Sequence, residues 1–178
     1  MGKIVITFGL LAGAVMSAMM FVTMSLVDQI GFDKGEIVGY TTMIIAFLMV
    51  FFGVRSYRDN VAGGSISFGK GLQVGLLIVL IASVCYVATW EVIYIKIWPD
   101  FGDKYAAHLI EKARASGASA AELAKTQKEM AAFKEAYKNP LINIAYTFLE
   151  PLPVGLIFAL VTAGVLRRRS PSGVAQPA

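Results

Sequence analysis

The sequence predicts an all-α membrane protein: a four-transmembrane-helix bundle with an extracytoplasmic helical hairpin between the third and fourth helices. Three observations carry this expectation. Hydrophobic residues make up 57% of the 178-residue chain and charged residues only 16%, more apolar material than a soluble domain of this size ordinarily carries. Four apolar runs, residues 4–27, 37–54, 71–95 and 141–166, meet or approach the roughly 20 helical residues needed to cross a hydrocarbon core about 30 Å thick. The runs are also continuous, without the alternation of a membrane barrel, so helices are the way to satisfy their backbone hydrogen bonds in lipid.

The first run follows Lys3 and contains the mostly small stretch 14–18, features shared with a secretory signal. It extends well beyond the ~7–15 apolar residues of a signal core, and no good cleavage site follows it, so it is read as a retained helix. The second run is the shortest, with Phe52 and Tyr57 available to extend it. Between the third and fourth runs, residues 100–139 are expected to form the hairpin. Ser119 and Glu122 make a capping box, and Leu123, Met130, Phe133 and Tyr137 recur behind it at helical spacing. Phe101, Tyr105 and Leu109 form a shorter stripe, which Ser116-Gly117 separates from the longer one. The stripes are expected to pack on each other; the membrane surface and a second copy are the alternatives. Residues 1–169 then form one membrane domain, and the Pro-, Ser- and Gly-rich residues 170–178 a disordered tail.

Orientation follows from charge. The loop after the first run carries Asp28, Asp33, Lys34 and Glu36, whereas the next carries Arg55, Arg58 and Lys70 against Asp59, and the chain continues past the fourth run with Arg167, Arg168 and Arg169. Lysine and arginine accumulate on the cytoplasmic side. Both termini and the second loop are therefore expected in the cytoplasm. The net charge of +4 belongs to this topology signal rather than to a nucleic-acid-binding face.

Glu150 is the sharpest candidate for chemistry. Counting from Arg167, it stands about 25 Å above the inner boundary, where an ionised carboxylate needs a partner or water. Pro151 and Pro153 follow it and lack amide hydrogens, which frees the carbonyls of Thr147 and Leu149. A carboxyl beside freed carbonyls suits a cation or proton site in a broken helix; a structural kink is the alternative. Glu91 lies about 31 Å from Lys70 by the same count. That depth allows the two acids to share a pocket, unless Lys96 neutralises Glu91. Tyr86, Trp90, Tyr94 and Trp98 form one stripe at four-residue spacing. Tyr94 and Trp98 fit an interfacial belt, while Tyr86 lies deeper and either packs on the fourth helix or lines a cavity.

Arg55, Arg58 and Lys70, around Gly63-Gly64 and the start of a helix, are candidate contacts for a lipid headgroup or other anion, with topology charge as the simpler reading. The glycines do not make a P-loop. Small residues at Gly9/Gly13, Gly71/Gly75 and Gly155/Ala159/Ala163 allow close helix approach, within the bundle or in a homodimer. Cys85, the sole cysteine, reads as a buried hydrophobe, and His108 as a solvated side chain without metal-ligand spacing. Without a nucleophile elbow or dinucleotide fingerprint, no catalytic residue, metal or cofactor is expected.

Three segments, GVRSYRDNVAGGSISFGKGLQVG at 53–75, YVATWEVIY at 86–94 and EPLPVGLI at 150–157, stand in an order that resembles the bacterial membrane family called domain of unknown function 4199. The likeness runs from the first helix to about Arg169. It implies a four-helix protein of the bacterial cytoplasmic membrane with no assigned activity, and carries over no catalytic residues. The leading expectation is a non-enzymatic structural or accessory membrane component. The alternative is a small proton- or cation-coupled transporter using Glu150, and a third is lipid handling in a cavity opening sideways between the third and fourth helices.

Overall fold

The computed structural model describes residues 1–167; Arg168, Arg169 and the expected tail, residues 170–178, lie outside them. Seven helices follow one another: α1 (Gly2–Ile30), α2 (Phe32–Asn60), α3 (Phe68–Lys96), α4 (Phe101–Ala115), α5 (Ala120–Tyr137), α6 (Pro140–Leu149) and α7 (Pro151–Leu166). Four stretches, namely α1, α2, α3 and the nearly continuous Pro140–Leu166, are long and apolar enough to cross a membrane. Large apolar side chains such as Leu10, Ile45, Val84, Ile157 and Val161 point outward from them. An outward-facing apolar band of this kind suits lipid and not water.

The spans are longer than their apolar runs. The difference is greatest in α2, which begins at Phe32 rather than near residue 37. Gly31 (φ 81°) reverses the chain in a single residue between α1 and α2, a backbone conformation that only glycine adopts without strain. Asp33 then occupies the first turn of α2, where the positive end of the helix dipole favours a carboxylate. Charges that mark the end of an apolar run therefore do not mark the end of the helix.

Along the bundle, α1 packs on α2 and α3, and α7 packs on α3 and α2 from the other side. The half that holds the Asn60–Phe68 connection is tightly filled: Phe47, Val50, Val54, Val74 and Ile78 are fully buried. Close approach is provided by small residues. A Cβ on Gly75 would lie 3.2 Å from both Ala159 Cβ and Val50 Cγ1, and one on Gly155 would meet the Val79 side chain and the Phe47 ring. Gly9 and Gly13 similarly take Ile81 and Cys85 of α3. The small-residue faces are thus occupied within the chain.

The opposite half is built differently. α6 leans on α3 and α5, and α4 and α5 lie across this end of the bundle. Ser119 Oγ accepts from the Glu122 amide at 3.3 Å and Glu122 Oε2 accepts from the Ser119 amide at 2.7 Å, the expected capping box at the start of α5. The two apolar stripes do meet, with ring centroids of Tyr105 and Phe133 6.0 Å apart and of Phe101 and Tyr137 6.1 Å apart. They also reach the bundle, since Phe32 of α2 lies against Phe101 and Tyr105, and Tyr146 of α6 against Phe133.

Candidate functional site

The fourth span is interrupted at one residue. Glu150 ends α6 and begins α7, with Pro151 directly after it at the first position of α7. Its own backbone stays helical (φ −63°, ψ −53°). The prolines thus open a gap in the hydrogen-bond ladder without turning the chain sharply. Glu150 lies about 5 Å by helical rise from the midpoint of Pro140–Leu166, near the centre of the span. Tyr86 is offset by about 6 Å from the midpoint of α3, and its hydroxyl donates to Glu150 Oε2 at 2.7 Å. The hydroxyl satisfies one carboxylate oxygen, while the residue as a whole remains exposed.

Glu150 lines a cavity of about 540 Å³. By helical rise its floor is the level of Met16, Met43, Tyr86 and Glu150, with Met19 and Met20 of α1 beside them; Tyr40 of α2 and Met24 of α1 rise above. Higher still come Glu36 and Asp33, about 15 Å or more from the midpoint of α2, with His108 and Lys112 of α4 across from them. Lys112 Nζ donates to Asp33 Oδ1 at 2.6 Å and His108 Nε2 lies 3.2 Å from the same oxygen. This hydrogen bond holds the Lys112 ammonium above its ordinary lysine value. The cavity therefore runs from one end of the bundle to the middle of the span, and the packed half lies beneath it. Tyr40, Tyr146 and Leu149, the last 60% exposed, border it on the outside, between α2 and α6.

A polar knot holds α6 in place beside the cavity. Trp90 Nε1 donates to Asn143 Oδ1 at 3.1 Å, and Thr147 Oγ1 donates to the same oxygen at 3.3 Å, with Asn143 and Thr147 both buried. Tyr137 of α5 closes the group next to Thr147 and Trp90, and burial pushes its phenol up to about 12. It therefore stays a neutral hydroxyl throughout the biological pH range. α6 is fixed by these directional bonds, whereas α7, in the other half of the span, is fixed by close glycine contacts.

The structure brings together part of the group singled out in the sequence. Glu150, Tyr86 and Trp90 line the cavity; Glu91 does not. At position 91 the helix has turned about 100° past Trp90, which takes Glu91 off the cavity wall. A shared pocket of these two acids is thus not formed, and no ion pair joins Glu91 to Lys96 among the described residues; Glu91 Oε1 is buried without a hydrogen-bond partner. The acids that line the cavity with Glu150 are Glu36 and Asp33. Tyr94 packs edge-on to Tyr137 at 5.5 Å. Trp98, expected in an interfacial belt, is buried against Phe32 and Phe101, with Lys104 Nζ 4.8 Å from its ring centroid. His108, expected in solvent, lies against Phe32 and Asp33 at the cavity mouth. In sequence, the signal for Glu36 and Tyr40 was their four-residue spacing on one helix face, hidden because the acid reads as loop charge.

At the other end of the bundle, Arg58 forms a two-point pair with Asp59 at 2.6 and 3.2 Å, and Arg55 lies 3.7 Å from the same carboxylate. Lys70 donates to Gln73 Oε1 at 2.9 Å and sits 5.9 Å from the Tyr57 ring centroid. Ser67 caps α3 by accepting from the Lys70 amide. The candidate anion contacts are thus engaged with protein partners. Among the described residues no group of three or more His, Cys, Asp or Glu side chains is placed to hold a metal.

No curated protein and no solved structure matches the chain. The model of a family described as a protein of unknown function (DUF4199) matches residues 7–168. Nearly the whole chain is covered, the interrupted fourth span and the cavity included, and the protein belongs to that family.

Proposed function

We propose that this is a non-enzymatic membrane protein that exchanges a proton or cation at Glu150, reached through a half-channel from the acidic end of the bundle. The carrying observation is the Tyr86–Glu150 hydrogen bond on the floor of a cavity that extends to the end bearing Asp33 and Glu36. A carboxylate near the centre of a span is costly unless a proton, a cation or hydrogen-bond donors accompany it. Tyr86 supplies one donor, and the second oxygen remains available to the cavity. A purely structural or accessory component would give neither the cavity nor the carboxylate a use, which favours the transporter reading over it.

Charge supports an orientation with both termini and Arg55, Arg58 and Lys70 in the cytoplasm of a bacterial cell, and the acidic end with α4 and α5 outside. The half-channel is then open outward. Packing of Phe47, Val50 and Ile78 below it supports an outward-facing state of an alternating cycle. Infrared titration of the full chain in lipid tests this reading. A protonated-carboxyl component should grow as pH falls in the wild type and be missing from the same titration of Glu150→Gln, where the other carboxyls still titrate. A titration with no band assignable to Glu150 would overturn it.

A further inference from the structure

We infer that the cavity takes a hydrophobic organic cation, its charge paired with Glu150 and its body held among aromatic and methionine side chains. This rests on the reading of Glu150 as an exchangeable acid and adds the chemical class of what exchanges with the proton.

Size excludes the simplest occupant. A volume of about 540 Å³ falls among cavities that enclose drug-sized organic ligands, and a bare inorganic ion would leave most of the wall in contact with nothing. The wall also argues against a sugar or other highly polar solute, because its hydrogen-bonding groups are interleaved with Met16, Met19, Met20, Met24 and Met43, which such a ligand would leave desolvated to no gain. Around Glu150 the cavity offers Tyr86, Trp90, Tyr40 and a row of methionines. Aromatic faces attract a weakly hydrated cation, and unbranched thioether side chains adapt to varied apolar shapes.

Charge gives the sign. Lys112 and His108, the basic side chains that line the cavity, both meet Asp33 at its mouth. The deeper part holds Glu150 with Tyr86 as its hydrogen-bond donor, and Glu36 stands between the two levels. An organic anion would meet Glu36 and Glu150 in succession, whereas an organic cation gains at both. The exposed rim of Tyr40, Tyr146 and Leu149 between α2 and α6 suits a ligand that arrives through the bilayer interface, where hydrophobic cations accumulate.

Tetraphenylphosphonium and tetraphenylborate, nearly equal in size and opposite in charge, test the assignment with the purified full chain in detergent. Binding is read by calorimetry and by tryptophan fluorescence, since Trp90 lines the cavity. Saturable binding of tetraphenylphosphonium is expected, with proton release and with affinity falling as pH falls. Tetraphenylborate should not bind. Glu150→Gln should weaken tetraphenylphosphonium at least about tenfold, while Glu150→Asp, which keeps the charge, should retain saturable binding and so show that loss in the Gln variant is not misfolding. Equal binding of the two ions, unchanged affinity in Glu150→Gln, or no saturable binding of tetraphenylphosphonium would overturn the inference. If the infrared band of Glu150 still titrates in any of those cases, the ligand class falls and proton exchange at Glu150 stands; if the band is absent, both fall.

Discussion

Asn143 shows how a single uncharged residue fixes the geometry of the site. Its side chain is 1% exposed, its oxygen accepts from both Trp90 and Thr147, and its amide nitrogen has no hydrogen-bond partner. Asn143→Ala would strand the buried Trp90 N–H and the Thr147 hydroxyl, at a cost of about 1–3 kcal/mol for an unsatisfied donor. The expected outcome is a lower melting temperature in detergent, with Trp90→Phe and Asn143→Ala together costing less than the sum of the two, because each alone leaves the other's group unpaired. Additive losses would show that the bond does not hold α6. Asn143 gave no sign of this in the sequence, where an uncharged amide in an apolar run attracts no notice. Glu150 was legible for the opposite reason, since a carboxylate among apolar residues has few cheap explanations. The partner of Glu150 was half legible: the sequence leaves Tyr86 either lining a cavity or packing on the fourth helix, and it lines the cavity while bonding across to Glu150.

At the scale of elements, the two short helices α4 and α5 are tied by Asp103 and Lys134 and to the bundle by Lys112 and Asp33. The hydrogen bond from Lys134 holds the Asp103 carboxyl below its ordinary range. A carboxyl with a depressed folded-state pKa contributes stability above its unfolded value, about pH 4, and loses it as pH falls through the folded value. Acidification below about pH 4 should therefore speed hydrogen exchange in α4 and α5 before the spans, and Asp103→Asn should remove that part of the acid response. Both groups are exposed, so the effect on global stability is small. The capping box at Ser119 and the four spans were legible because each rests on local chemistry or on apolar length. The extension of α2 to Phe32 was not, because Gly31 lets the helix continue through charges that end an apolar run. In the opposite half, Gly155→Leu should overpack α7 against Val79 of α3 and Phe47 of α2 and cost about 1–3 kcal/mol in thermal stability; a neutral result would mean that α7 can shift away from α2 and α3.

Over the whole molecule, one half of the bundle is closed by glycine-mediated contacts and the other is held open by the polar knot and the two short helices. This asymmetry could not be seen in the sequence. Apolar content reports that a helix is in lipid, yet it does not distinguish a packed face from one that borders a cavity, and the methionines of α1 read as ordinary membrane residues. The separation of Glu91 from Glu150 was also hidden, because a depth within several ångströms says nothing about which way two helices turn their side chains. The central claim is that Glu150 faces water from the acidic end alone. Cysteine substitution tests it most directly: in a Cys85→Ala chain in intact cells, a charged, membrane-impermeant thiol reagent added outside should modify Glu150→Cys and Met20→Cys, and leave Val54→Cys in the packed half untouched. Modification of Glu150→Cys only after the reagent is admitted to the cytoplasmic face, or none at all while Tyr40→Cys at the rim reacts, would contradict the account.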